Sequence, residues 1–290
     1  MTRKIVLADI DNTLYDWGAF FAPSFRAMVY ALVRELGVSE EQLYSEFKQV
    51  FARHGSLDYA FTIQELDSVR ELETEKIRHL IRTGRGAFLS VQRRRLQPYA
   101  GVPETLKWLL NQNVAIVGIT NSPIHRAQKR LWDLKLDSLL TGLVAWEGFE
   151  AISGPVTEGF VTPSPLRTRA QTRVPRSISV PLSECKPNEQ HYAIALEAFA
   201  GTASEAWAIG DSLSKDLKPA AKLGVKTIWA RYGAGFDREE RDASTLLRIT
   251  HWNESEISRT YSTDGFEPDH TVDSIEELTQ IIPATVMSLF

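Results

Sequence analysis

The stretch KIVLADIDNTLYD, residues 4–16, decides the fold. Its first half is a continuous apolar run, too unbroken for a strand with one wet face, and strands buried on both sides of a parallel sheet look like this. The run stops at Asp9, and D-I-D-N-T follows at 9–13. In extended backbone, side chains two residues apart point the same way, so Asp9 and Asp11 are expected to face one point just beyond the strand end. Like charges held there repel unless a cation stands between them, which points to a divalent ion.

Three further runs have the same character: VAIVGIT at 114–120, EAWAIGD at 205–211 and VKTIWA at 225–230. Helical segments are expected at 102–112, 123–134, 188–199 and 214–223, with Pro103 in a first turn and Gly224 at a helix end. Strand and helix alternate, which predicts an α/β fold with a doubly wound, mostly parallel sheet. Residues 16–97 break the alternation. Apolar positions such as Leu43, Phe47, Val50 and Phe51, then Leu66, Val69, Ile77 and Ile81, follow helical spacing. That length exceeds a simple crossover, so an inserted α-helical domain is expected at 16–97, with the α/β core at 1–15 and 98–290.

Two insertions within the core are expected. Residues 153–183 carry Pro155, Pro163, Pro165, Pro175 and Pro181 with Arg167, Arg169, Arg173 and Arg176, and read as an extended basic arm. Residues 233–264 are polar, with helical potential near 243–250, and SIEELTQII at 274–282 reads as a closing helix.

Composition narrows the partners. Lys plus Arg number 33 against 37 Asp plus Glu, a formal charge of −4, which argues against nucleic acid. A hydrophobic fraction of 43% excludes disorder over the whole length. The single cysteine, Cys185, excludes an internal disulfide framework and a cysteine-based zinc site, and fits a reducing, cytoplasmic compartment. No run of apolar residues is long enough for a membrane span. Oligomeric state stays open.

In a parallel α/β sheet, ligands gather at the carboxyl ends of the strands. There the second run delivers Thr120, Asn121 and Ser122, and GDSLSKD at 210–216 delivers Asp211 and Asp216; Lys186, before Pro187, adds a cation. Such a set suits phosphoryl transfer. Hard oxygen ligands favour Mg²⁺, while Thr120, Lys186 and backbone amides near Asn12 and Asn121 can bind the phosphoryl oxygens. One carboxylate can act as nucleophile and a second as general acid and base.

These words in this order resemble the haloacid dehalogenase superfamily, in its phosphatase branch with a helical cap after the first strand. DIDNT matches its first motif (D-x-D-x-T), GITNS at 118–122 the second, CKP at 185–187 the third and GDSLSKD the fourth. The resemblance implies a Rossmann-like core, Asp9 as nucleophile and Asp11 as general acid and base. It further implies Thr120 and Lys186 on the phosphoryl group, and Mg²⁺ held by Asp9, Asp211 and the backbone carbonyl of Asp11, with Asp216 supporting the metal or the lysine. True dehalogenases lack the second aspartate, so Asp11 argues for phosphate chemistry. The expected activity is Mg²⁺-dependent hydrolysis of a small phosphorylated metabolite, with a nucleotide, a sugar phosphate or a phosphoglycolate-like acid as candidates. A phosphomutase, or a scaffold using the arm at 167–176, are the alternatives.

Several neighbours carry blander readings. His125 is expected to cap a helix or face solvent, Arg93 to Arg95 to form a solvated face, and Cys185 to be structural. Tyr15 and Trp17 are expected to line the cleft or pack at its hinge, with hinge segments near 14–18 and 96–102.

Overall fold

The computed structural model describes residues 4–149, 173–234, 240–250 and 265–283. Seven parallel strands form one sheet in the order β4-β3-β2-β1-β5-β6-β7. They are β1 (Ile5–Asp9), β2 (Ala115–Pro123), β3 (Gly142–Trp146), β4 (Ser177–Val180), β5 (Ala206–Gly210), β6 (Lys226–Ala230) and β7 (His270–Val272). From β1 the order runs one way through β2 to β4 and the other way through β5 to β7. The winding therefore reverses at β1, where open α/β sheets bind their ligands.

Alternation along β1 explains the two layers of helices. Ile5 and Leu7 join one apolar cluster, with Tyr192, Ala195 and Leu196 of the helix Gln190–Ala198. Val6 and Ala8 join the other, with Leu106 and Leu109 of the helix Val102–Asn111 and Leu131 of the helix Ile124–Asp133. Successive side chains point to opposite faces, and both faces are covered, so the strand must be apolar throughout.

In chain order the helices used below are α1 (Trp17–Leu36), α2 (Glu40–His54), α3 (Thr74–Arg95), α4 (Val102–Asn111), α5 (Ile124–Asp133) and α6 (Gln190–Ala198). The first three lie between β1 and β2. Asp16 caps α1 by accepting the Ala19 amide at 2.9 Å, and Gly37 closes the helix at φ 71°, a conformation glycine adopts without strain. Phe25 meets Phe47 edge-on at 4.8 Å between ring centres, and Phe21 stacks beside it at 5.9 Å, so α1 and α2 share an aromatic core. The chain leaves and returns side by side: the Tyr99 amide donates to the Leu14 carbonyl at 3.0 Å, and Tyr15 bridges to Pro98.

Three strands exceed the sequence reading. One of them corrects it: Ser177–Val180, within the expected extended arm, pairs in register with β3 as the sheet edge. Nearby, Arg173 donates its amide to Asp137, and Arg176 donates to the Ala198 carbonyl while lying over the Phe199 ring. Arg167 and Arg169 lie outside the described residues. The polar stretch after Gly233 contains a further helix, α7 (Glu240–Ile249). It packs on the helical insertion through charge: Arg26 of α1 pairs with Asp242, and Arg248 pairs with Glu40 while its guanidinium lies 3.6 Å from the Tyr44 ring centre. Among the described residues no helix is long and apolar enough to cross a membrane.

Candidate active site

Register places the polar centre. Asp9 pairs with Ile119 and Ala8 with Ile209, so Thr120 of β2 and Asp211 after β5 stand level with the chain just past the carboxyl end of β1. Lys186 arrives from the loop before α6, and its Nζ donates to both Asp9 Oδ1 and Asp216 Oδ1, the latter at 2.6 Å. Carboxylate oxygens of Asp9, Asp211 and Asp216 all lie within 4.8 Å of one another. Thr13 completes the nucleophile's surroundings by donating to Asp9 Oδ2 at 2.7 Å.

Glycine makes the fourth motif possible. A Cβ on Gly210 would sit 2.5 Å from that of Asp216, so only glycine lets Asp216 fold back beneath the strand end. There Asp216 Oδ2 accepts the Ser212 amide at 3.0 Å, leaving Oδ1 for Lys186. Gly233 is tighter still: a Cβ there would meet the Asn12 carbonyl oxygen at 1.7 Å.

Three carboxylates share one ammonium in this centre, and the titration of Asp9 and of Asp211 records that imbalance. Burial pushes the Asp9 carboxyl up to about 7 against the pull of Lys186, and Asp216 and Asp11 push the same way as burial. Burial, then Asp9 and Asp216, raise Asp211 well above its ordinary value. For Lys186 burial opposes the charge, but Asp216 and Asp9 outweigh it and hold the ammonium firmly protonated. The donor set is therefore hard oxygen with surplus negative charge, which fits a divalent cation such as Mg²⁺.

The two aspartates of D-I-D do not share partners. The chain leaves the strand at Ile10, and Asn12 just beyond takes φ 63° in the turn that follows. The Asp11 carboxylate instead accepts from Tyr15 Oη, Ser122 Oγ at 2.9 Å, Thr120 Oγ1 at 3.3 Å and Arg130 Nη1 at 3.2 Å. The acid cluster of Asp9, Asp211 and Asp216 does not include this carboxylate. Asn12 itself shapes the turn: its amide donates to the Tyr15 carbonyl at 2.8 Å and its Oδ1 accepts the Trp17 amide at 3.1 Å. Asn121 holds the lysine loop, donating to the Lys186 carbonyl at 2.7 Å and accepting its amide at 3.0 Å. These two side chains organise the backbone whose amides the sequence reading offered to phosphate.

Other residues were not foreseen as part of the site. Arg130 of α5 is buried and bridges Asp11 to Asp58, which comes from the loop after α2. Asp58 also accepts from Ser122 Oγ at 3.0 Å. Burial would raise Asp58, yet Arg130, Arg126 and donors from Arg130 and Ser122 hold it below the usual carboxylate value. Buried His191 accepts the Lys186 amide through Nδ1 at 3.2 Å; burial and then Lys186 push it down to about 3, so it acts as a neutral acceptor. His125 is half-buried, and burial and Arg126 push it down to about 4. Cys185 is buried and its thiol is pushed up to about 11, in keeping with a structural part. Tyr15 is buried against Asp11, and Trp17 stacks on Phe21 at 4.4 Å.

A doubly wound sheet with acid groups and an ammonium at its switch point is the architecture of an α/β enzyme with a polar reaction centre. The model of the haloacid dehalogenase-like hydrolases matches residues 3–224, and the chain belongs to that family. A second model, of HAD-hydrolase-like proteins, matches 184–278. Among curated proteins, the glyceraldehyde 3-phosphate phosphatase of Methanopyrus kandleri is 23% identical over 242 residues, covering 82% of this chain and 88% of the relative. Among solved structures, an HAD phosphatase from Thermococcus onnurineus superposes with a TM-score of 0.56 at 19% identity, covering 97% of this chain and 98% of that one. The HAD-hydrolase YfnB from Bacillus subtilis, solved bound to magnesium, gives 0.51 at 17% identity, covering 97% and 99%.

Proposed function

We propose that the protein is a phosphatase that hydrolyses small phosphate monoesters, sugar phosphates among them, through a phosphorylated Asp9. The observation that carries this reading is the buried ammonium of Lys186 set between Asp9 and Asp216, with Asp211 beside them. An Asp9 oxygen attacks phosphorus, and the bond from phosphorus to the ester oxygen breaks. Asp11 gives its proton to the departing alkoxide. A water then attacks the acyl phosphate, Asp11 takes its proton, and the bond between Asp9 and phosphorus breaks to release inorganic phosphate. Lys186 and Thr120 stabilise the charge gathering on the equatorial oxygens.

Asp9, Asp211 and the carbonyl of Asp11 would hold Mg²⁺, with Asp216 orienting Lys186. When bound, the ion supplies neutralisation of the phosphoryl charge and relieves repulsion among the carboxylates. In this reading residues 16–97 form a cap over the cleft, with its hinge where the chain passes Leu14 and Tyr99. The lone buried cysteine supports a cytoplasmic setting.

The name of the Methanopyrus relative makes glyceraldehyde 3-phosphate a first substrate to assay. Phosphate release from a panel of phosphorylated metabolites, with Mg²⁺ and with chelator, tests the reading. Release that needs the metal supports it. Return of the phosphoryl group to another carbon of the substrate, without free phosphate, would favour the mutase alternative, and no reaction with any ester would remove the proposal.

A further inference from the structure

A cavity of about 720 Å³ lies between the helical insertion and α5, within the range of small-molecule sites. Its lining includes Asp58 and Arg130, the two groups whose other atoms meet at Asp11 and Ser122. Arg130 links that wall to Asp11, donating to its Oδ1 at 3.2 Å, so the cavity lies one side chain away from the proposed general acid. Part of its wall is aromatic, from Phe21, Phe61 and Phe88.

The charge on the wall is unbalanced. Among the described residues, six cationic side chains line it against two carboxylates, Asp58 and Asp133. Those carboxylates are taken, Asp58 by Arg130 and Asp133 by Lys129. Arg126 is the telling group: its Nε is sealed from solvent with no hydrogen-bond partner among the described residues. A buried donor of this kind is costly unless something accepts from it. Burial lowers Arg126, Asp58 raises it, and Arg130 and Arg85 lower it further, so a second anion nearby would relieve the site.

Arg126 and Arg130 are four residues apart on α5, hence on one face and separated by roughly 6 Å along the axis. Arg130 touches the proposed proton donor, and Arg126 stands one turn away. That spacing matches a short carbon chain or one sugar ring between an ester oxygen and a far group.

Building on the phosphatase reading, we propose that the cavity receives the leaving group and that the preferred substrate carries a second anionic group, carboxylate or phosphoryl, held by Arg126 with Arg85 beside it. The guanidinium fork suits either oxyanion. The same chemistry disfavours substrates whose far end is neutral, glyceraldehyde 3-phosphate included.

Matched pairs test this with the full chain and Mg²⁺. 3-Phosphoglycerate against glyceraldehyde 3-phosphate isolates a carboxylate, and fructose 1,6-bisphosphate against fructose 6-phosphate isolates a second phosphoryl group. The wild-type protein is expected to favour the doubly charged member of at least one pair by 10-fold or more in kcat/KM. Arg126→Gln should lower kcat/KM for that member by about 10- to 100-fold, chiefly through KM, and bring the pair toward equality. Arg126→Lys should restore part of the preference. Arg85 is exposed, so Arg85→Gln keeps the test open if the Arg126 variants fold poorly, and it should reduce the preference by a smaller factor. Equal use of both members of each pair by the wild type, or an equal loss for both in Arg126→Gln, overturns this inference while phosphate release upholds the phosphatase. Absence of release from every ester removes both.

Discussion

The acid cluster at the end of β1 and the basic wall beside α5 are opposite in charge and in construction. In the cluster, the carboxylates of Asp9, Asp211 and Asp216 exceed the one ammonium available; Asp9 and Asp211 stand at strand ends, and Asp216 folds back from the helical turn after β5. In the wall, cations exceed carboxylates among the described residues; α3 and α5 supply five of them, and Lys135 follows α5. Asp11 stands between the two, bonded to Arg130 on one side and one residue from the backbone of Ile10 and β1 on the other. The contrast separates the chemistry proposed for the sheet from the choice of leaving group proposed for the wall between α5 and the insertion.

Breaking Asp11 should show the largest effect, because it serves both sides. Asp11→Asn is expected to lower phosphate release by about 10²- to 10⁴-fold. A loss confined to substrates with poor leaving groups would identify it as the proton donor; an unchanged rate would move general acid catalysis elsewhere. Next in size is Arg130→Leu. Two mostly buried carboxylates lose their common counterion, and urea unfolding should report a loss of about 3–5 kcal/mol. A loss below the usual surface-pair range of about 1 kcal/mol would mean that the pair is screened in solution.

Magnesium sharpens the comparison from the acidic side. With Asp9 raised to about 7, the unfolded chain releases its proton first, so the metal-free protein should lose stability as pH rises from about 4 toward 7. Mg²⁺ at about 100 times its dissociation constant should add about 2.7 kcal/mol, and melting curves should show a larger shift well above that pKa than below it. A metal effect independent of pH would place the ion away from Asp9. The smallest effect is expected for Asp58→Asn, at about 1–2 kcal/mol. Because the folded pKa of Asp58 is depressed, its contribution is full above the ordinary carboxylate pKa near 4 and disappears as pH falls through the folded value. The difference between the two proteins should shrink in acid; a constant difference would assign the loss to packing.

Sequence revealed the sheet centre and the acid cluster for the same reason. Strands buried on both faces are unbroken apolar runs, and the residues that follow them form short words such as DIDNT and GDSLSKD. The edge strands were hidden because β4 and β7 have mixed burial and only four and three residues. Arg126 and Arg130 were hidden because basic residues at helical spacing look like a solvated face, and the carboxylate that reveals Arg130 lies 72 residues away. The parting of Asp9 and Asp11 was also invisible. Strand alternation pointed them together, but β1 ends at Asp9, so Asp11 lies beyond the extended backbone on which alternation holds.

The central claim is that Asp9 becomes phosphorylated. Incubating the protein with Mg²⁺ and a hydrolysable ester, quenching in acid and locating the modification by peptide mass spectrometry reads this directly. The account predicts one phosphoryl group on the peptide that contains Asp9, lost together with turnover in Asp9→Asn. A phosphoryl group on another residue, or full turnover in that variant, would contradict it.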